Sequence, residues 1–377
     1  MNFPLRCWLV LGLLPLVSVR AQWAQQTVVA PSAVSFDATI SGGTTFVAYE
    51  SAGNIYVTAK GYGEAGWSAA SLLGAGTAPS ITTGTGGLNV AYLVGNNVNV
   101  SANSGSGWSG ADLGNINGSF QVQLRTDSSG AMYLLTNGSG TGGRGSLDLA
   151  TNTGSGWGGG FTNLAYGWYD SGSGNYYHQG VLAASPHAAG YRLAYEINNW
   201  GGNASWSDKG ITTSGFASNA SAGASWNGFD MVLPDGGLFF NASGGLFGYL
   251  NGGNAYATVF DGTTWNGAVN LGAASGLSVN GADHSLVVFS SSGNLMQWDG
   301  TTTAAVSYLA SPLAGTAPLL VDDGATAHLL YLDGGGQLTY LQAIPEPAGW
   351  AALCGLLAFG ARMWRRRPDG SAPANRA

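Results

Sequence analysis

The chain has 377 residues, 63 of them glycine, with only 8% charged and a formal net charge of −7. Twelve Lys and Arg cannot cover a phosphate backbone, so a nucleic-acid-binding surface is excluded, and two cysteines exclude a disulfide framework. Glycine recurs too often for runs of good helix formers, which excludes a body built from long helices.

At the start of the chain, Arg6 stands in a short leading region. CWLVLGLLPLV follows as an apolar core, and Val19-Arg20-Ala21 offers small residues where a signal peptidase reads. Residues 1–21 therefore read as a secretory signal peptide cleaved after Ala21. Residues 22–344 form the exported body, which contains neither Cys7 nor Cys354. Its stability has to come from a hydrophobic core and hydrogen-bonded strands, for which it is long enough. It carries five basic residues (Lys60, Arg125, Arg144, Arg192 and Lys209) against 17 acidic ones, a net of −12. Low charge with abundant Gly, Ser, Thr and Asn suits a domain that meets neutral polymers. The same composition serves a surface protein of any specificity.

The body is a repeat. Residues 44–82 (TTFVAYESAGNIYVTAKGYGEAGWSAASLLGAGTAPSIT) parallel residues 87–114 (GLNVAYLVGNNVNVSANSGSGWSGADLG). Each has a V-A-Y strand, a turn with Gly and Asn, a second alternating strand, a Gly-Trp marker and a last strand. Period-two alternation with Gly-Asn turns predicts hairpins. The marker recurs at Trp67, Trp108, Trp157, Trp206 and Trp265, spaced by 41, 49, 49 and 59 residues. The longer gaps read as holding Gly-rich insertions such as GWYDSGSGN before His178. A unit of this length with four short strands predicts a blade of an all-β propeller. Further on, strands are predicted at residues 286–290, 294–298 and 304–308.

The last unit has only three strands before residue 345. The missing one is predicted at the mature N-terminus, where Trp23-Ala24-Gln25-Gln26-Thr27-Val28-Val29 parallels Trp67-Ser68-Ala69-Ala70-Ser71-Leu72-Leu73. Ala30-Pro31-Ser32 likewise parallels Ala78-Pro79-Ser80. The N-terminal strand then completes the final blade and removes two sheet edges. The count is seven blades, or six if the segment from Trp157 to Tyr177 is not a blade of its own.

The marker tryptophans have two readings. Each can pack at the turn between third and fourth strands, covering core, as repeated aromatics do. Each can also stack on the apolar face of a sugar ring, so that Trp67, Trp108, Trp157, Trp206 and Trp265 form equivalent glycan sites.

Catalytic signals are few. His178, His187, His284 and His328 stand in no metal-ligand spacing, and no nucleophile elbow opens a helix. No metal and no cofactor is expected. Asp261-Gly262-Thr263-Thr264-Trp265 is similar to the Asp-box turn of sialidase-type propellers, a structural turn. A sialidase would need Arg125, Arg144 and Arg192 to converge, and a glycosidase would need a carboxylate pair drawn from acids such as Asp127, Asp230, Asp283 and Asp322. The expectation is a protein that is not an enzyme. Asp322, Asp323 and Asp333 sit in Gly-rich turns, where Asp before Gly serves turn chemistry.

The C-terminal end carries an address. Pro345-Glu346-Pro347 precedes the apolar run AGWAALCGLLAFGARMW at 348–364, which is long enough for a short bilayer span, and Arg365-Arg366-Arg367 follows on the cytoplasmic side. This order of parts resembles the PEP-CTERM sorting signal of Gram-negative bacteria. Residues 345–367 are the sorting signal with its transmembrane helix, and residues 368–377 a cytoplasmic tail. The resemblance implies processing by an exosortase, passage through the membrane as an anchored precursor, and delivery to the cell surface or extracellular matrix. There the expected role is non-catalytic, structural or adhesive, alongside exopolysaccharide. A lectin-like propeller is the alternative, and a polysaccharide hydrolase stands third. The alternative is a plain single-span anchor that is never cleaved.

Overall fold

The structure, a computed structural model, describes residues 22–84, 86–115, 119–126, 129–138, 146–158, 161–166, 169–170, 175–187, 190–199, 205–208, 226–232, 245–251, 253–260, 268–279, 287–298, 300, 302–306, 318–322 and 326–344. The signal peptide (1–21), the sorting segment (345–367) with Arg365, Arg366 and Arg367, the tail (368–377) and Trp265 lie outside the described residues. Among the described residues no helix is long and apolar enough to cross a membrane.

Among the described residues, twenty-eight strands build seven four-stranded sheets. The chain opens with β1 (Gln22–Ala30). Sheet 1 contains β2 (Ser35–Ser41), β3 (Thr44–Ser51), β4 (Asn54–Gly61) and β5 (Ser71–Ala75). Sheet 2 contains β6 (Thr77–Gly84), β7 (Gly87–Val94), β8 (Asn97–Asn103) and β9 (Trp108–Asn115). Sheet 3 contains β10 (Ser119–Thr126), β11 (Met132–Gly138), β12 (Ser146–Asn152) and β13 (Thr162–Tyr166). Sheet 4 contains β14 (Tyr169–Asp170), β15 (Asn175–His187), β16 (Gly190–Asn199) and β17 (Ser205–Asp208). Sheet 5 contains β18 (Trp226–Val232), β19 (Gly245–Asn251), β20 (Asn254–Phe260) and β21 (Val269–Ala273). Sheet 6 contains β22 (Gly276–Val279), β23 (Val287–Ser291), β24 (Asn294–Trp298) and β25 (Thr303–Ala305). Sheet 7 contains β26 (Leu319–Asp322), β27 (Ala327–Leu332) and β28 (Leu338–Ile344), with β1 beside β28.

Sheets 1 to 6 are up-and-down meanders, sheet 7 is one with β1 added beside β28, and the tight turns follow from local chemistry. Ala52-Gly53 and Ser292-Gly293 join their strands with φ of 49°, 71°, 50° and 79°. Two left-handed central residues are what a two-residue type I′ hairpin requires. The first strands of consecutive sheets touch in chain order, β2 on β6, β6 on β10, β18 on β22, β22 on β26, and β26 on β2. Four-stranded meanders repeated this way are the blades of a β-propeller.

Sheet 4 departs from the pattern. GWYDSGSGN, expected as an insertion, contributes β14, with Tyr169 opposite Tyr176 and Asp170 opposite Asn175. This strand is two residues long, and the longer β15 makes the contacts with β10 and β18. The predicted strands at 286–290, 294–298 and 304–308 correspond to β23, β24 and a shorter β25.

The core lies between sheets. One cluster joins Ala48, Ile55 and Val57 of sheet 1 to Ile81, Leu88, Val90 and Tyr92 of sheet 2. Another joins Leu93, Val98 and Val100 of sheet 2 to Val122, Leu124, Met132 and Leu134 of sheet 3. A third joins Val47 and Tyr49 of sheet 1 to Leu330, Leu332, Leu338 and Tyr340 of sheet 7. Alternation puts apolar side chains on both faces of the middle strands, so sheets 1 and 2 each have a cluster on either side. The Ala33 N–H donates to the Gly336 carbonyl (2.9 Å), beside the start of β28. The end of β1 therefore lies by the start of β28, and Gln22 lies at the end where Ile344 leaves the sheet.

Candidate binding site at the sheet junctions

In several repeats a leucine in the fourth strand and a tryptophan at or just before its start face opposite ways. In β5, β9 and β21 a register shift bulges out one leucine before a glycine: Leu73-Gly74, Leu113-Gly114 and Leu271-Gly272. Those glycines have φ of 150°, 98° and 105°, a conformation that favours glycine in a bulge. Each leucine packs on the cluster shared with the following sheet. The tryptophans face the other way. Trp67 of sheet 1 packs on the sheet 7/sheet 1 cluster, Trp108 on the sheet 1/sheet 2 cluster, and Trp157 on the sheet 2/sheet 3 cluster.

Of the predicted site residues, Trp67, Trp108 and Trp157 thus occupy equivalent junctions, each half-buried, at the passage from third to fourth strand. Trp206 lies in β17, the last strand of sheet 4, opposite Glu196. Trp23 takes the same place in sheet 7, as the sequence parallel predicts. It is 2% exposed, and its indole N–H donates to Gln297 Oε1 of sheet 6 at 2.8 Å.

The junctions differ in how the indole is held. Trp67 donates to Thr27 Oγ1 of β1 (3.2 Å) and meets the Tyr340 ring edge-on, with centroids 5.2 Å apart. Its loop is pinned by Lys60, whose ammonium donates to the Glu64 carbonyl, and by Glu64 Oε2, which accepts from the Gly61 N–H (2.9 Å). Trp108 and Trp157 share a different loop, Asn-x-Gly-Ser-Gly-Trp, at 103–108 and 152–157. Asn103 pairs with Trp108 and Asn152 with Trp157 across the loop. The Asn103 Oδ1 accepts from Gly105 N–H (2.8 Å), and the Asn152 Oδ1 from Gly154 and Gly156 N–H (2.9 and 3.2 Å). Among the described residues neither of these two indole N–H groups has a hydrogen-bond acceptor.

A second polar arrangement ties the first strands together. Asp37 Oδ2 in β2 accepts from Ser80 Oγ (2.6 Å), Ile81 N–H (3.0 Å) and Arg125 Nη1 (3.4 Å). Ser80 Oγ in β6 accepts from Leu124 N–H of β10 (2.9 Å), and Ser278 Oγ in β22 from Leu320 N–H of β26 (3.0 Å). One side-chain oxygen thus receives a backbone donor of the next sheet, 44, 44 or 42 residues on. Sequence reasoning missed this device, because Asp and Ser share only an acceptor oxygen.

Arg125 is committed to that network, donating also to the Leu124 carbonyl (2.9 Å). Arg192 stands in β16 opposite Ser185, and Arg144 lies outside the described residues. Asp230 is in β18 and Asp322 in β26, while Asp127 and Asp283 lie outside the described residues. His178 and His187 are in β15, and His284 lies outside the described residues. His328 is buried in β27, its Nδ1 bonded to the Tyr340 hydroxyl and 3.4 Å from Thr45 Oγ1. Asp333 does turn chemistry as read: its Oδ1 accepts from Gly335 and Gln337 N–H (2.8 and 2.9 Å). Among the described residues no cluster of His, Cys, Asp or Glu could hold a metal. Burial pushes the Tyr331 phenol up to about 12, with Asp333 adding to the effect and Thr339 opposing it. Burial, then neighbouring Tyr56, raises Tyr49.

No protein family and no curated protein matches this chain. Among solved structures it is similar to BBS1N in complex with ARL6DN, with a TM-score of 0.53 at 12% identity, covering 87% of this chain and 98% of that one. It is similar to a protein of unknown function from Dyadobacter fermentans, with a TM-score of 0.48 at 11% identity, covering 86% and 99%. The Aleuria aurantia lectin, described as a six-bladed propeller with a fucose recognition mode, gives a TM-score of 0.48 at 14% identity, covering 86% and 94%. The first of these is a likeness of fold alone.

Proposed function

We propose that this chain is an exported, non-catalytic β-propeller that binds neutral glycans at its sheet junctions and is displayed at the cell surface or in the extracellular matrix. The seven sheets close into one ring, with β1 as the outer strand of the last blade. The observation that carries the binding reading is the recurrence of a half-buried tryptophan at equivalent junctions. An indole with part of its surface in water and its body fixed by packing suits the apolar face of a sugar ring, and repetition adds avidity. The scarcity of cations fits an uncharged ligand. Commitment of Arg125 to Asp37 and Ser80 weighs against the arginine cluster a sialidase needs.

Display rests on the two ends of the sequence. Signal peptidase releases Gln22, the membrane span holds the precursor, and an exosortase acts at Pro345-Glu346-Pro347. The test is a glycan array probed with the full chain, together with cell fractionation of a variant whose Arg365, Arg366 and Arg367 are replaced by Gln. Retention of neutral glycans and mislocalisation of the variant are expected. An array without a neutral glycan hit overturns the binding reading, and unchanged fractionation overturns the sorting reading. A purely structural matrix role draws support from Trp23 and Trp67, whose indoles already have protein partners. It predicts a silent array with normal delivery.

A further inference from the structure

We infer that binding is confined to the Trp108 and Trp157 loops, and that the ligand is a polysaccharide chain bridging both rather than a single sugar. This rests on the glycan-binding reading above and narrows it. Four tryptophans at equivalent places divide into two kinds. Trp23 and Trp67 flank sheet 7, and both spend their indole N–H on protein, on Gln297 and Thr27. They hold the N-terminal strand in the fold. Trp23 lies within β1 and is all but inaccessible, and Trp67 is locked by Thr27 of β1 and by the edge of Tyr340. A sugar arriving at Trp67 would have to displace a bond that secures β1.

Trp108 and Trp157 lie one and two repeats beyond Trp67, and their loops are near copies. Asn103-Ser104-Gly105-Ser106-Gly107 and Asn152-Thr153-Gly154-Ser155-Gly156 differ only at the second residue. Both have exposed tips, with glycines at φ of 98° and 118° in one and 102° and 103° in the other. In both, the Asn carboxamide fixes the loop by accepting backbone N–H groups, so the tryptophan is presented on a rigid turn. Rigid presentation lowers the ordering cost of binding. An indole N–H with no acceptor among the described residues is available to a sugar hydroxyl, and the Ser hydroxyls at 104, 106 and 155 stand on the same turns. A buried indole N–H finds a protein partner, as Trp23 does; one left open at a half-buried site faces water that a hydroxyl can replace.

Adjacency selects the ligand class. Sheets 2 and 3 are neighbours, and the two tryptophans stand at successive junctions. Two equivalent platforms on successive junctions suit one long chain that touches both, and the second contact is then intramolecular, raising affinity by about 10²–10⁴-fold over either site alone.

The experiment uses the full chain on beads bearing immobilised dextran, galactomannan or xylan, with glucose, mannose or xylose as competitor. Trp108→Ala and Trp157→Ala are each expected to lower polymer affinity at least tenfold, and the double variant to abolish retention. Trp67→Phe, which keeps packing but loses the N–H, is expected to melt earlier and bind normally. Trp108→Phe and Trp157→Phe guard against misfolding, since they keep the fold and should still weaken retention. Undiminished retention by the Phe pair and the double Ala variant, loss of binding in Trp67→Phe at temperatures where it is folded, or a monosaccharide that competes as well as the polymer overturns the inference while leaving glycan binding standing. Wild-type protein retained by none of the polymers, yet positive on the array for single sugars, also overturns it. Silence in both assays sinks the glycan reading and this inference with it.

Discussion

Replacing Asp37 by alanine tests how neighbouring sheets are joined at their first strands. Asp37 is 8% exposed and accepts four hydrogen bonds, one from its own neighbour Ala38 and three from sheets 2 and 3. The strands β2 and β6 belong to different sheets and share no backbone ladder. This carboxylate is what satisfies the buried Ile81 N–H. Alanine orphans that donor, which costs about 1–3 kcal/mol. It also removes the counterion of Arg125. That guanidinium is 28% exposed, so water recovers much of the loss and the ion pair adds no more than about 1 kcal/mol. Ser80 keeps its role toward Leu124 N–H and can rotate its own hydrogen elsewhere. The expected total is about 1–4 kcal/mol, which in a body of this length lowers the melting temperature by roughly 2–6 °C. Differential scanning calorimetry of the full chain beside Asp37→Asn measures it. Asparagine retains one acceptor oxygen at the same place and should recover about half the loss. A melting temperature within 1 °C of wild type for Asp37→Ala would refute the reasoning, because the buried donor would then have another acceptor.

Three further outcomes follow from single sites. Gly87→Ala builds a Cβ 2.3 Å from the Asn103 carbonyl oxygen on a backbone with φ of +115°, so thermal melts should show severe destabilisation, whereas Gly53→Ala, with open space around it, should cost only about 1 kcal/mol. Trp23→Ala empties a fully buried indole site and leaves Gln297 without its donor; a loss of about 3–5 kcal/mol is expected in urea unfolding followed by fluorescence. Tyr331 is completely buried with a phenol near 12, above the ordinary 10; the fold therefore favours the protonated form, a contribution fully present below pH 10 and lost as pH rises from 10 to 12. Alkaline melts should show a drop across that window that Tyr331→Phe lacks.

How much of this was legible in the sequence depends on whether a feature repeats in residue type or only in role. Trp23 could be matched to Trp67, and Ala30-Pro31-Ser32 to Ala78-Pro79-Ser80, because identical residues recur; the strand so matched lies beside β28. The Gly-Trp marker gave the third-to-fourth strand passage for the same reason. The first-strand ties were not legible: the acceptor is Asp in one sheet and Ser in two others, and no residue pattern survives that change. The direction of each tryptophan was hidden too. Period-two alternation tells which face a residue takes, while the choice between preceding and following sheet depends on the bulge that turns Leu73, Leu113 and Leu271 the other way. Sheet 4 was misjudged because Tyr169 and Asp170 sit among glycines that read as insertion, and a strand of two residues leaves almost no alternation to detect.

The opposed leucine and tryptophan anchors explain how a cysteine-free body of low charge can leave aromatic surface partly open for the binding proposed above. Contacts between sheets join neighbours, as in repeat proteins where stability is a sum of nearest-neighbour terms. The leucine of one fourth strand and the tryptophan of the next close the same cluster from two sides: Leu73 and Trp108 both pack on the sheet 1/sheet 2 core, and Leu113 and Trp157 on the sheet 2/sheet 3 core. Because the leucine already seals one side, the tryptophan need not be wholly buried, and part of its ring can stay in water without opening the core. At sheet 7 the balance changes. Its fourth strand is supplied by the far end of the chain, so separating it means breaking contacts between residues more than three hundred positions apart in sequence, and forming them carries the largest loop-closure cost in the fold. Trp23, Gln297, Thr27 and Trp67 concentrate their hydrogen bonds there. Side-chain hydrogen bonds to the indoles are thus concentrated where β1 meets sheet 7, whereas among the described residues the indole N–H groups of Trp108 and Trp157 are left open where the sheets are continuous in sequence.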